Sequence, residues 1–465
     1  MMAGTMDTLL PIWHAAGLPA QTLQQLALTG FDPVLPSSFA VGIAAQTTLA
    51  AAALAATELG HHRNGLRQQV RVDMLHAALE CCGHFTIDGR VPEVWDKIAG
   101  LYPCEDGGWV RLHTNFAHHR DGVLRLLGLA AGPDTERETV AVALQKWRSF
   151  DFEDAAAQAG LVVAALRSFD EWDRHPQSAE VAHNPLVAIE KIGDAAPLVL
   201  PALPIDARPL AGLRVLDLTR ILAGPVGGRT LAAYGADVLL VNGPHLPNIE
   251  AIVDTSRGKL SALADLREAT GRAGLLSVLG DAHVFIQGYR PGALAARGLA
   301  PGDVAQARPG IVMVSLSAYG ESGPWAGKRG FDSLVQTATG INHAEAQAAG
   351  SPQPKPLPMQ ILDMATGFLM AFGAQAAVLR QQREGGSWHV RVSLARTALW
   401  LRELGRVANG FSAARPDFHG RMETHASGYG ALSAMRHAAV FSHTPAGWAR
   451  PSMPPGSHPL AWPSA

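Results

Sequence analysis

Cysteine is scarce. The chain holds three, Cys81, Cys82 and Cys104, in 465 residues. That is too few for a disulfide framework, and the spacing of a zinc site is missing. Two of them are neighbours, which suits a reduced compartment and a packing role. An excess of charge is lacking too: Lys and Arg number 38 against 40 Asp and Glu, a net −2. No overall field draws such a chain to nucleic acid or an anionic membrane, although a local basic pocket remains open. No basic stretch precedes the first apolar residues, which argues against a signal peptide. Residues 39–57 carry no charge, but they are mostly alanine with Gln46, Thr47 and Thr48 among them. Alanine has little drive into lipid, so this reads as a helix packed inside a soluble, cytoplasmic protein rather than a membrane span. With 48% hydrophobic and 17% charged residues the chain can bury a large core, which excludes global disorder. At ~150 residues per domain, about three units fit.

Several familiar site motifs are also missing. After the strand-like LRVLDLT comes A-G-P-V-G-G-R, with Gly224, Gly227 and Gly228 wrongly spaced for a dinucleotide fingerprint and interrupted by Pro225. Asn242 ends the next strand where a ribose-binding acid is needed, so NAD is not expected. The segment reads as a tight strand-to-helix turn whose backbone N–H groups could meet a phosphate-bearing ligand. The pairs His61-His62 and His118-His119 lack any accompanying metal pattern and read as solvated or capping residues; no metal is expected. The run from Ser315 to Ser322 is not a nucleophile elbow.

What is present is a repeat. Residues 45–79 match 365–399 without gaps at twelve of 35 positions, among them Arg63/Arg383, Gly65/Gly385 and the two Val-Arg-Val triplets. Each copy reads as a small-residue helix, a glycine turn, a short strand and another helix. Between the copies, residues 195–209 carry four prolines and read as an extended linker. From Leu213 strands alternate with helices: LRVLDLT, a helix over 229–234, ADVLLVN, then DAHVFIQGY and PGIVMVSLSAY. This predicts an α/β fold with a Rossmann-like parallel sheet, helices on both faces, plus a smaller α+β module. The expected organisation is an N-terminal module over 1–194, the linker, a Rossmann-like ligand-binding and catalytic region over 210–405, and an extended C-terminal arm over 406–465 that wraps a neighbour.

Two carboxylates fall beyond strand ends, where α/β folds place ligands. Asp332 lies in Arg-Gly-Phe-Asp-Ser, and Asp363 enters the second repeated helix. Helix capping would explain Asp363 structurally. Its counterpart in the first copy, however, is Ile43, so the helix itself does not require an acid there.

Taken in order, these segments resemble the family III CoA-transferases, the group that includes formyl-CoA transferase, carnitine CoA-transferase and α-methylacyl-CoA racemase. The matching stretches are VLDLTRILAGPVGGRTLAAYGADVLLV, RGKLSALADLR, DAHVFIQGYRPGALAARGL, RPGIVMVSLSAYGESGPW, GFDSLVQTATG and LPMQILDMATG. The N-terminal part, with DGRVPEVWDKIAGLYPCEDGGWVRLH, is similar to the family's back half placed ahead of its front half. The resemblance implies transfer of CoA from an acyl-CoA to a carboxylic acid through an aspartyl mixed anhydride and an aspartyl-CoA thioester. Asp363 occupies the nucleophile position. Arg220, Ala223, Lys259, Arg267, Tyr289 and Arg290 lie in segments expected to bind CoA, and Phe331 and Asp332 line the site. CoA is a substrate, no tightly bound cofactor is implied, and the partner is a second copy of the chain in a homodimer. It leaves open whether the N-terminal module completes the site in cis or in trans. An acyl-CoA racemase or a non-catalytic CoA-binding protein on the same fold are the alternatives. The racemase branch carries a histidine where this chain has Phe331, with His343 the nearest substitute.

Overall fold

The computed structural model describes residues 4–463. Its largest sheet has seven strands, in the order Lys259–Leu263, Asp237–Asn242, Arg214–Asp217, Val284–Gln287, Val312–Ser317, Ser387–Ser393 and Ala188–Gly193. The first six run parallel and the last is antiparallel. Leu216 pairs with Leu239 on one side and Phe285 on the other. The central strands are Val- and Leu-rich because helices cover both faces of the sheet. One core holds Val215, Val238, Ile286 and Val314 under the long helix Ile361–Glu384. The other holds Leu216, Leu239, Phe285 and Met313 under helices Ala269–Leu279 and Pro301–Ala307.

The repeat is structural to the residue. Helices Val41–Asn64 and Ile361–Glu384 both have 24 residues, and their bounds are offset like the sequence match. Each leads to a strand and a second helix. That helix is capped in both copies by the preceding side chain: Asp73 accepts from the His76 N–H and Ser393 from the Arg396 N–H. The strands repeat as well. Leu26–Thr29, Val70–Asp73 and Ala439–Phe441 form a parallel pair with an antiparallel third, as do Val312–Ser317, Ser387–Ser393 and Ala188–Gly193. The first copy therefore repeats only the far edge of the main sheet. Its helix, without charge as far as Thr57, is buried from Val41 to Gly60 and lies against the second copy's helix, where Gln375 donates to the Ala52 carbonyl at 3.1 Å. Alanine on this face lets the two backbones approach.

A smaller α+β unit follows. Strands Gly100–Pro103, Trp109–Leu112 and Val163–Ala165 form an antiparallel sheet that packs helices Ala117–Leu126, Arg137–Leu144 and Ser149–Gln158 around Tyr102, Val110, Leu124 and Phe152.

Two expectations need correction. The helix after the first strand runs from Ala223 to Ala233, so the glycine segment is helix rather than turn. Pro225 sits in the first turn, where its missing N–H costs no helical bond. The glycines serve close packing: a Cβ on Gly227 would stand 3.1 Å from the Gly367 carbonyl, and one on Gly367 would stand 2.5 Å from that of Ala223. The C-terminal segment is also not an unstructured extended arm. Met422–Ser427 and Gly430–Met435 form a hairpin on Phe85–Ile87, and Ala439–Phe441 pairs with Val70–Asp73. The buried His437 fastens it, contacting the Glu80 carboxylate at 3.0 Å and the Tyr234 hydroxyl at 2.9 Å.

Candidate active site

A cavity of ≈ 360 Å³ opens beyond the C-terminal ends of the parallel strands, where open α/β sheets hold ligands. Consecutive strand ends supply its walls: Arg220 to Ala223, Gly288 to Pro291, Ser317 and Ala318, and Leu394. Ile221 is held at φ 77°, a conformation that β-branched residues rarely adopt. Four consecutive residues there, 220–223, face the cavity as the strand passes into its helix. The small α+β unit closes the opposite side with Phe116, His118 and His119. The N-terminal module thus lines the cavity within the same chain.

Asp363 stands in the first turn of the second long helix and is 7% exposed. Its backbone N–H donates to Asp332 Oδ2 at 3.0 Å, and Gln336 donates to Asp332 Oδ1. Its own carboxylate caps nothing, and among the described residues no group donates to it. Capping therefore does not explain the acid. Burial, and then the nearby Asp332 carboxylate, hold Asp363 well above the ordinary carboxylate range. Burial pushes fully enclosed Asp332 up to about 6, opposed by the hydrogen bonds it accepts. The two acids form one coupled pair.

Of the residues singled out in the sequence, Asp363, Arg220, Ala223, Tyr289, Arg290 and Phe331 share this cavity. Asp332 lies behind it. Arg267 is set apart. It pairs with Asp265 at 2.6 Å on a neighbouring cavity of ≈ 150 Å³, lined also by His245 and Arg297; Tyr289 lines both cavities. Lys259 stands outside both cavities: it is fully buried and donates to Asp217 at 2.9 Å and to the Pro225 carbonyl at 2.8 Å. It braces the Ala223–Ala233 helix on the first strand.

The sequence did not point to Arg329, Phe116 or the His118-His119 pair. His119 is only 3% exposed, so it is not a solvated residue. Burial, followed by its neighbours His118 and Arg329, holds it down to about 4. His113 stacks on Phe331 with ring centroids 4.0 Å apart, and burial pushes it down to about 3. The Arg220 guanidinium lies over Phe116 and donates to the Pro247 carbonyl. Arg220, Arg290 and Arg329 have no carboxylate within ion-pair distance among the described residues, unlike the buried Arg167 and Arg229. Unpaired guanidinium groups around one opening suit a ligand with several anionic oxygens.

Known proteins resemble this chain in sequence. An acyl-CoA transferase of Gibberella moniliformis is 29% identical over 427 residues, spanning 82% of this chain and 75% of that protein. A succinyl-CoA:glutarate CoA-transferase of Mus musculus is 32% identical over 192 residues, 38% of this chain and 43% of that protein. The crystal structure of Rv3272 from Mycobacterium tuberculosis is 31% identical, covers 43% of this chain and 58% of that one, and has a TM-score of 0.39. The chain thus spans about half the length of the murine and mycobacterial proteins. Residues 210–450 match CoA-transferase family III, more than half of the chain, and the chain belongs to that family.

Proposed function

We propose that this chain moves coenzyme A from an acyl-CoA to a free carboxylic acid, with Asp363 as the covalent carrier. One observation carries the reading: a nearly buried carboxylate without a protein partner shares an apolar cavity with three unpaired arginines. Asp363 attacks the thioester carbonyl; a C–O bond forms, the C–S bond breaks, and CoA leaves as thiolate. The thiolate attacks the Asp363 carboxyl carbon and the anhydride C–O bond breaks. The first acid departs as carboxylate, and CoA remains on Asp363 as a thioester. A second carboxylate runs the steps in reverse. No net proton is transferred, so the chemistry needs no dedicated acid. Arg220 and Arg290 are assigned to the CoA phosphates. Tyr289, with Arg267 and Arg297 on the smaller cavity, is assigned to the nucleotide end. CoA is substrate here, not resident cofactor. The proposal retains a homodimer in the cytoplasm, although the cavity walls described come from one chain.

A racemase would need a second proton carrier opposite Asp363. Phe331 occupies the position available for one, and His113 behind it is held neutral near pH 7. No deuterium uptake at the α-carbon of a 2-methylacyl-CoA is expected. The deciding experiment is mass spectrometry of the purified chain after incubation with an acyl-CoA panel. A CoA adduct is expected in the natural chain and not in Asp363→Ala. Failure to form any adduct, or its persistence in Asp363→Ala, would overturn the mechanism.

A further inference from the structure

A covalent CoA carrier poses a transport problem. Between the two halves of the reaction one acid must leave and another arrive while CoA stays attached to Asp363. During that interval the CoA arm fills its own approach past Arg220 and Arg290, so the acids need another way in.

The small α+β unit has a second depression. A groove of ≈ 570 Å³ runs between Gly122, Arg125 and Leu126 of helix Ala117–Leu126 and the turn at residues 159–161. Its inner wall is His118, His119 and Arg329, and the same three side chains line the Asp363 cavity. The partition between groove and cavity is therefore one layer of side chains thick. Two features of that layer point to an anion. His119 is buried, yet its ring Nδ1 has no hydrogen-bond partner, while its Nε2 lies 3.3 Å from Arg329 Nη1. Arg329 Nε is likewise unpartnered, and no carboxylate of the described residues pairs with this guanidinium. Arg125, exposed at the outer wall, adds a second cation. The two histidines also sit in the first turn of their helix, whose positive end favours an anion.

We propose that this groove is the port for the free carboxylic acid, with Arg329 as its anchoring cation and His119 as the partition through which it reaches Asp363. The inference rests on the transferase reading. It adds a binding site for the acid separate from that for CoA. Arg329 is a binding residue here, not a catalytic one: it holds the carboxylate before it attacks the aspartyl-CoA carbonyl and after the previous acid is expelled.

The test uses the full chain, an acyl-CoA shown to give the adduct, and an acid accepted by the natural protein. Arg329→Ala and Arg125→Glu are made, with melting curves to confirm folding. The Michaelis constant for the acid should rise, by about tenfold in Arg329→Ala and less in Arg125→Glu, with that for acyl-CoA unchanged. Isolated enzyme–CoA adduct should be discharged by neutral hydroxylamine at the same rate in all three proteins, whereas discharge by the carboxylate should slow in the variants. An unchanged acid constant in both variants overturns the port. So does a parallel rise in the acyl-CoA constant, which would assign Arg329 to CoA, and so does slowed hydroxylamine discharge, which would mean a general disturbance of the site. If the natural chain forms no adduct with any acyl-CoA, the transferase reading itself fails and the port falls with it.

Discussion

The two copies of the repeat keep the same backbone and differ in chemistry. In the second, Asp332 of Gly330-Phe331-Asp332 accepts from the Asp363 N–H at 3.0 Å. In the first, Asp32 of Gly30-Phe31-Asp32 accepts from the Ile43 N–H, also at 3.0 Å. The acid that receives the helix start is thus a property of the fold, because it persists where no second acid needs tuning. The surroundings differ. Ile43 is buried with Ala40, Met74 and Val407, which fill the space corresponding to the cavity beside Asp363 and Leu394. Phe31 is 83% exposed, whereas Phe331 lies under His113. The first copy also lacks the strands that precede Val312–Ser317, and with them every wall that carries Arg220 or Arg290. It retains the scaffold of a site without its ligand-binding half.

The sharpest way to break the comparison is exchange at the paired positions. Asp363→Asn should abolish transfer, by ~10³-fold or more for loss of a covalent nucleophile, with an unchanged melting temperature. Ile43→Asp should gain no activity and should lower stability by about 2–4 kcal/mol, because an unpaired acid enters an apolar cluster; denaturant titration measures it. Activity in either variant would remove the functional distinction between the copies.

The next effects lie where the copies serve different duties. Lys259→Met strands the buried Asp217 beneath the glycine helix that packs on the second copy, and should cost about 3–5 kcal/mol in urea unfolding. In the first copy, Glu80 is the residue that matters. Burial opposes its charge, but His437 and Arg229 outweigh that and hold it down to about 2. Its folded value is depressed, so its contribution is present above the unfolded value near 4.5 and is lost as pH falls toward 2. Roughly 3 kcal/mol should disappear across that window. Glu80→Gln should be less stable at pH 7 and show a flatter decline in acid, as followed by circular dichroism.

The smallest effect concerns Asp332. Asp363 must be ionised to attack, and the neighbouring charge opposes its ionisation. Transfer should therefore rise with pH along a limb above the ordinary carboxylate range. Asp332→Asn removes the like charge, so Asp363 ionises more easily and the limb should move to lower pH. A limb that stays in place would make Asp332 a helix-start acceptor only, as Asp32 is.

Much of this could be read in the sequence for physical reasons. Buried parallel strands are continuous Val and Leu runs, and the 24-residue helices repeat with their glycine stops. Asp363 stood out because the other copy has Ile43. What could not be read depends on contacts distant along the chain. The glycines at 224, 227 and 228 look like a loop until Gly367 is placed against Gly227. Lys259 looks like a free cation until Asp217, 42 residues earlier, is found beside it. Arg329 and His119, 210 residues apart, meet only when the small unit folds back over the sheet. The C-terminal hairpin is rich in Ala, Ser, Gly and Met, with little strand signal of its own, and it forms on Phe85–Ile87.

The division of labour at the start of the second long helix has one more consequence. Asp332 receives the backbone N–H, and the Asp363 carboxylate holds up nothing, so esterifying or thioesterifying it severs no bond of the native architecture. A protein can carry a covalent passenger at such a position without softening. The acylated and CoA-loaded forms should melt at or above the temperature of the free protein, and the loaded state should persist long enough to be isolated by gel filtration. The reaction would then store its half-finished product in a carrier whose fold does not change with the load.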